Sequence, residues 1–165
     1  MNRKQAIEAK VFTFHALLRQ LHVWRFQGRK IIFTNGCFDV LHPGHFHLLN
    51  SAASLEAHSM LVVGLNDDNS VRALKGAGRP VHPFELRAMS LASLSVVDAV
   101  IGFEAATPID LIQAIQPDVL VKGGDYEVKD IVGADYVLQQ GGRVEVLPFL
   151  EGHSTTSLLN RELNN

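Results

Sequence analysis

Apolar residues follow two rhythms along this chain. Short, nearly continuous apolar runs alternate with stretches in which apolar positions recur every three or four residues. The runs are "KIIFTN" at Lys30–Asn35, "SMLVVGL" at Ser59–Leu65, "AVIGF" at Ala99–Phe103, "VLVK" at Val119–Lys122 and "RVEVLPF" at Arg143–Phe149. Runs of this length, rich in β-branched residues, predict buried strands. The helical rhythm predicts helices over Gly44–Leu55, Phe84–Leu94, Asp135–Gln140 and Thr155–Leu163. It also predicts one helix from Lys4 to Leu21, with Ala6, Ala9, Val11, Phe14, Leu17, Leu18 and Leu21 near one face. "TPIDLIQAIQPD" carries start and stop signals: Thr107 as N-cap, Pro108 in the first turn, Asp110 near the positive end and Pro117 beyond the stop. Gly141-Gly142 ends the helix before the last strand.

Strands that are apolar throughout must be covered on both faces. The pattern therefore predicts an α/β domain, with about five parallel strands and helices on both sides. Residues 1–28 read as an N-terminal helical extension, and 29–165 as one Rossmann-like domain. No repeat or low-complexity tract divides the chain.

Composition narrows the classes. The net charge of −2 over 165 residues argues against a nucleic-acid partner held by phosphate neutralisation. The single cysteine, Cys37, excludes an internal disulfide. No apolar run approaches the roughly 20 residues of a membrane helix. The charged "MNRKQAIEAK" lacks the apolar centre of a secretory signal. The expectation is a soluble cytoplasmic protein without a membrane partner.

The chemistry concentrates in "TNGCFDVLHPGH", Thr34–His45, between the first strand and the first full helix after it. In open parallel sheets, ligands bind beyond the carboxyl ends of strands, where helix N-termini present free N–H groups to anions. Gly36 and Gly44 permit close backbone approach to a ligand. His42 and His45 can donate to phosphate oxygens. A metal reading has Asp39 and His47 nearby, yet no established zinc spacing is present. Two histidines alone would suggest solvated side chains; the strand–glycine–histidine–helix context points to an anion instead.

"HPGH" matches the HxGH motif, so the chain resembles the HxGH (cytidylyltransferase-like) nucleotidyltransferase superfamily. Five ordered blocks narrow the resemblance: "TNGCFDVLHPGH", "GLNDDNSVRALKGAGRPV", "VVDAVIGF", "TPIDLIQAIQPDVLVKGGDY" and "GHSTTSLL". Together, from about Lys30 to Leu163, they are similar to the ADP-heptose synthases, in a stand-alone form without a preceding kinase. The resemblance implies adenylyl transfer from ATP to D-glycero-β-D-manno-heptose 1-phosphate for lipopolysaccharide core assembly. It implies magnesium carried mainly by the triphosphate, no dedicated metal ligands on the protein, and homodimers among relatives. It casts His42, His45 and Lys75 as catalytic. Asn35, Gly36, Cys37, Phe38, Gly44, Arg79, Arg87, Gly152, Ser154, Thr155 and Thr156 would bind nucleotide. Asp39, Lys122, Gly123 and Asp125 would bind the acceptor.

The residues carry these roles unevenly. Lys75 and Arg79 in "KGAGRP" bring a point charge and a fork to a loop that alone reads as solvated surface. Arg87 either reaches the phosphates or forms an ordinary salt bridge. Lys122 ends an apolar strand, a costly place without an anion; Asp125 either pairs with it or meets a sugar hydroxyl. Asp39 either orients the loop or helps hold magnesium, and Cys37 reads by itself as a small packing residue. Hydroxyls at Ser154, Thr155 and Thr156 suit N-capping or a phosphate contact. Three other readings are a glycerol-3-phosphate cytidylyltransferase, another small-molecule adenylyltransferase, and a regulatory module that only binds nucleotide. "FLEG" stands where the cytidylyltransferases carry "RTEG" and places Phe149 at the arginine position.

Overall fold

The computed structural model describes residues 2–148. Six parallel strands form one sheet in the order β1-β4-β3-β2-β5-β6. The strands are β1 (Val11–Phe12), β2 (Lys30–Gly36), β3 (Ser59–Asn66), β4 (Ala99–Phe103), β5 (Val119–Gly123) and β6 (Arg143–Leu147). The helices are α1 (Arg3–Glu8), α2 (Phe14–Phe26), α3 (Pro43–Ala53), α4 (Asp68–Lys75), α5 (Phe84–Ala92), α6 (Ile109–Ile115) and α7 (Ala134–Gln139). Among the described residues, no helix is long and apolar enough to cross a membrane.

Strand alternation builds two cores. Ile31 and Phe33 of β2 face one layer, with Leu17, Leu21 and Trp24 of α2 and with Leu111, Ile112 and Ile115 of α6. Ile32 faces the other, with Leu49 and Ala52 of α3 and Ala88 and Leu91 of α5. Both strand faces are therefore dry, which is why the strands read as continuous apolar runs.

Three expectations change. The helix predicted over Lys4–Leu21 is α1 and the start of α2, separated by β1. Thr13 sits in extended backbone at the N-cap of α2. Val11 and Phe12 pair with Val100 and Ile101 at the sheet edge, so the sheet has six strands rather than about five. A two-residue strand has no period, and the helical rhythm of its neighbours masks it. The segment read as an extension thus adds a strand to the sheet and Leu17, Leu21 and Trp24 to the core. Second, α6 starts at Ile109 with Pro108 at the cap, and Thr107 makes no capping bond. Third, the polar stretch "DDNSVRALK" forms α4, capped by Asp67 accepting from Ser70 N at 2.7 Å. Lys75 is the last residue of that helix, not part of a loop. The predicted closing helix and Gly152, Ser154, Thr155 and Thr156 lie outside the described residues.

The chain order creates the site. β2 leads through α3 to β3 on one side, while β5 flanks β2 on the other. The connections leave in opposite directions at this point, which opens a crevice above the carboxyl ends of β2 and β5.

Candidate functional site

A cleft of about 630 Å³ opens at that crevice. This volume suits a small-molecule ligand. The end of β2 supplies Asn35 and Gly36 to its wall, followed by Cys37, Phe38 and Asp39; β5 supplies Lys122. Asn66 closes β3 and Phe103 closes β4, with Ala106, Thr107 and Pro108 following. A smaller adjoining lobe of about 190 Å³ is completed by Gly44, Leu48, Gly123 and Pro148. The two lobes share Asn35, Gly36, Cys37, Phe38, His42, His45 and Lys122. Gly123 packs closely there: a Cβ would lie 3.1 Å from the end of the Leu48 side chain, which would have to shift.

His42 and His45 stand at the shared wall. His42 is the N-cap of α3; its extended backbone lets its carbonyl accept from His45 N at 2.8 Å, and Pro43 is pre-shaped for the first turn. The two rings stack with centroids 3.8 Å apart. Phe38 adopts a left-handed backbone, φ 41°, and brings its ring to 5.1 Å from that of His45. A bulky residue rarely takes this conformation, and such strain clusters at functional turns. Burial and then the neighbouring His42 push the His45 imidazole down to about 4, against a smaller opposite pull from the Val40 backbone. His45 is therefore neutral at neutral pH.

Among the described residues, three cations line the cleft. Lys75 reaches it from the end of α4, where it is exposed. Arg79 donates from Nε to Asp39 Oδ2 at 2.5 Å, and nothing among the described residues accepts from its terminal nitrogens. Lys122 Nζ donates to Asn35 Oδ1 at 3.3 Å and stands 5.9 Å from the Tyr126 ring centroid. Burial lowers the Lys122 ammonium below its usual range, with Cys37 opposing. An ammonium placed this way has a neutral amide and a ring as partners, and an arriving anion would stabilise it. The Cys37 thiol is pushed up, chiefly by burial, and is protonated at neutral pH.

Asp39 orients the loop. Its Oδ1 accepts from Val81 N at 2.7 Å and His82 N at 3.1 Å, while Oδ2 takes Arg79. The geometry favours that alternative over magnesium binding. Among the described residues, no group of three or more His, Cys, Asp or Glu could hold a metal.

Two residues depart from their expected roles. Arg87 does not line the cleft. Its side chain is fully buried and donates to His82 O, Cys37 O and Asp68 Oδ1 at 3.0, 2.7 and 2.7 Å. Of its two alternatives, the salt bridge is the one observed. Asp125 is exposed and lines neither lobe, and Lys122 turns to Asn35 instead. The sequence reading missed Asn66, Thr107, Tyr126 and Asp130 as cleft residues. The position of Asn66 at the end of a predicted central strand was the available signal.

Known proteins place this architecture. Bifunctional protein HldE of Acidiphilium cryptum is 55% identical over 152 residues, 92% of this chain and 31% of that protein. The Hyphomonas neptunium protein of the same name is 51% identical over 154 residues, 93% of this chain and 31% of that protein. The chain thus spans about a third of the length of these curated relatives. A solved structure described as the lipopolysaccharide core biosynthesis protein from Thermoplasma volcanium shares the fold. Its TM-score is 0.60 at 21% identity, covering 75% of this chain and 98% of that one. The cytidylyltransferase-like family matches residues 33–160, a span that runs from within β2 and contains the histidine pair, the cleft cations and the switch point between β2 and β5. By that match the chain belongs to the cytidylyltransferase-like family.

Proposed function

We propose that this protein is a nucleotidyltransferase that adenylylates D-glycero-β-D-manno-heptose 1-phosphate with ATP, releasing pyrophosphate and forming the ADP-sugar for the lipopolysaccharide core. The observation that carries the transfer chemistry is the stacked His42–His45 pair, set beside Lys75, Arg79 and Lys122 in one cleft. Two phosphorylated substrates repel each other, and a ring of donors and cations brings them together. The nucleoside occupies the smaller lobe beside Leu48, Gly44, Gly123 and Pro148, which moves Gly123 from the acceptor side expected of it to the nucleoside side; the acceptor occupies the larger lobe, with Lys122 on the wall shared by both.

A phosphate oxygen of the sugar phosphate attacks the α-phosphorus, and the bond from that phosphorus to the bridging oxygen of pyrophosphate breaks. His42 and His45 donate to the phosphate oxygens on which charge accumulates. His45, neutral when the cleft is empty, gains basicity as the anion approaches, because opposite charge favours its protonated form. Arg79, held at Nε by Asp39, turns its free nitrogens to the triphosphate. Magnesium carried by the triphosphate would offset part of its charge, held mainly through phosphate oxygens and water.

The sugar and the base rest on the five-block resemblance. Relatives named HldE and a fold neighbour named for lipopolysaccharide core biosynthesis agree with it. The test is pyrophosphate release across ATP and CTP with heptose 1-phosphate and glycerol 3-phosphate as acceptors. ATP with the heptose phosphate is the expected productive pair. Robust turnover of CTP with glycerol 3-phosphate, and none of the expected pair, would overturn the assignment.

A further inference from the structure

The cleft sets cations against few acceptors: Asp39 is already occupied by Arg79, Val81 and His82, and the Asp130 carboxylate is exposed. Lys75, Arg79 and Lys122 are cations, and a phosphate oxygen satisfies all three. Asn66 differs. It is 4% exposed, closes β3 and lines the larger lobe but not the smaller one. Its Nδ2 donates to Ser70 Oγ at 3.2 Å. That hydroxyl has one hydrogen, which it donates to Asp67 O at 3.1 Å, so its oxygen is left as an acceptor. While the hydroxyl keeps its hydrogen on Asp67 O, the flipped amide would set oxygen against oxygen. Ser70 is itself held by its backbone N–H to Asp67 Oδ1 at 2.7 Å. The amide orientation is therefore decided by a chain of three residues at the start of α4, and Oδ1 is turned away from Ser70. No donor among the described residues meets it, and the atom keeps some solvent exposure on a residue that lines the larger lobe.

A fixed carbonyl oxygen in a cationic cleft repels phosphate oxygens and pairs with O–H. We infer that Asn66 is a specificity-determining residue that accepts a hydrogen bond from a hydroxyl of the acceptor. It thereby selects a polyhydroxylated phosphate over phosphate alone, with Ser70 as its positioning residue. The inference rests on the placement of the acceptor in the larger lobe proposed above. Asn35 is the counterpart: its Oδ1 is taken by Lys122, so its amide presents N–H to an anion. Two asparagines at the ends of adjacent strands are thus set in opposite senses, one for phosphate and one for hydroxyl.

Calorimetric titration tests the assignment with three probes: heptose 1-phosphate, inorganic phosphate and ATP with magnesium. In the unmodified protein the sugar phosphate binds more tightly than inorganic phosphate. Asn66→Ala removes that excess, weakening the sugar phosphate by about 10- to 100-fold while the other two probes stay within about twofold. Ser70→Ala leaves the cleft wall intact and weakens only the sugar phosphate, by a smaller factor; it carries the test if Asn66→Ala does not fold. Equal weakening of sugar phosphate and inorganic phosphate, or no change in either, overturns the inference. So does a loss confined to ATP, which would assign the hydroxyl to the ribose, and so does an unmodified protein with no preference for the sugar phosphate. Turnover measured in parallel separates this from the reaction itself. Product formation with sugar selectivity kept in Asn66→Ala defeats only the role of Asn66. Selective loss of sugar phosphate binding without product formation defeats only the reaction.

Discussion

His42 and His45 are the side chains on which the chemistry depends most. Each is expected to stabilise charge that develops only during transfer. His42→Ala or His45→Ala should lower the rate by about 10²- to 10³-fold, the usual loss for one such donor. Circular dichroism should be unchanged, since neither ring is part of the two apolar layers. Near-normal turnover in either variant would return the pair to a structural role. His45 also has a stability signature. Its folded value of about 4 lies below the unfolded value near 6.5, because burial disfavours the cation. Between these values the unfolded chain binds the proton that the folded one refuses. The contribution is present above pH 6.5 and is lost as pH falls toward 4. From pH 7 to pH 5 this is about 2 kcal/mol. Urea unfolding of His45→Gln should show a pH profile flatter by that amount in this window; an unchanged profile would mean that His45 is not buried as a neutral ring.

The segment from α4 to α5 is ordered by two buried charges. Asp39 ties down Arg79, Val81 and His82, and Arg87 joins His82 and Cys37 to Asp68 of α4. The turn after β2 and the loop before α5 are thereby cross-linked, and Arg79 is held at the cleft. Removing one member leaves buried donors without acceptors, which costs more than the pair contributes. Asp39→Ala should destabilise the protein by about 2–4 kcal/mol. It should also raise the KM for the triphosphate, because Arg79 loses its tether. Denaturant melts and initial-rate kinetics read the two effects separately. Lost affinity with unaltered stability would indicate that Asp39 contacts ligand directly.

Across the whole molecule, stability and chemistry occupy different parts of one sheet. β1 lies at the edge beyond β4, away from the crevice between β2 and β5. Its Phe12 packs edge-to-face on Trp24, with ring centroids 6.2 Å apart. Phe12→Ala should cost about 1–3 kcal/mol through lost packing. Its kcat and KM should stay at the parental values below the melting transition, because β2 and β5, which flank the crevice, do not pair with β1. A kinetic change without a stability change would mean that the edge communicates with the site.

Strand and helix alternation, the parallel sheet and the "GCFDVLHPGH" turn at a strand end were legible in the chain itself. Periodicity and glycine, proline and histidine punctuation are local signals, and burial on both strand faces writes itself as unbroken apolar runs. The tertiary structure decided the rest, because partners distant in sequence made the choice. β1 exists because Val11 and Phe12 meet Val100 and Ile101. Arg87 offered a phosphate contact or a salt bridge in sequence, and three acceptors placed around it settled it. Asp39 offered two roles in sequence, and three donors from residues 79–82 settled it. The orientation of Asn66 depends on where the single hydrogen of Ser70 goes. A residue type states which bonds are available; only the packed chain determines which of them are already used and which still face a ligand.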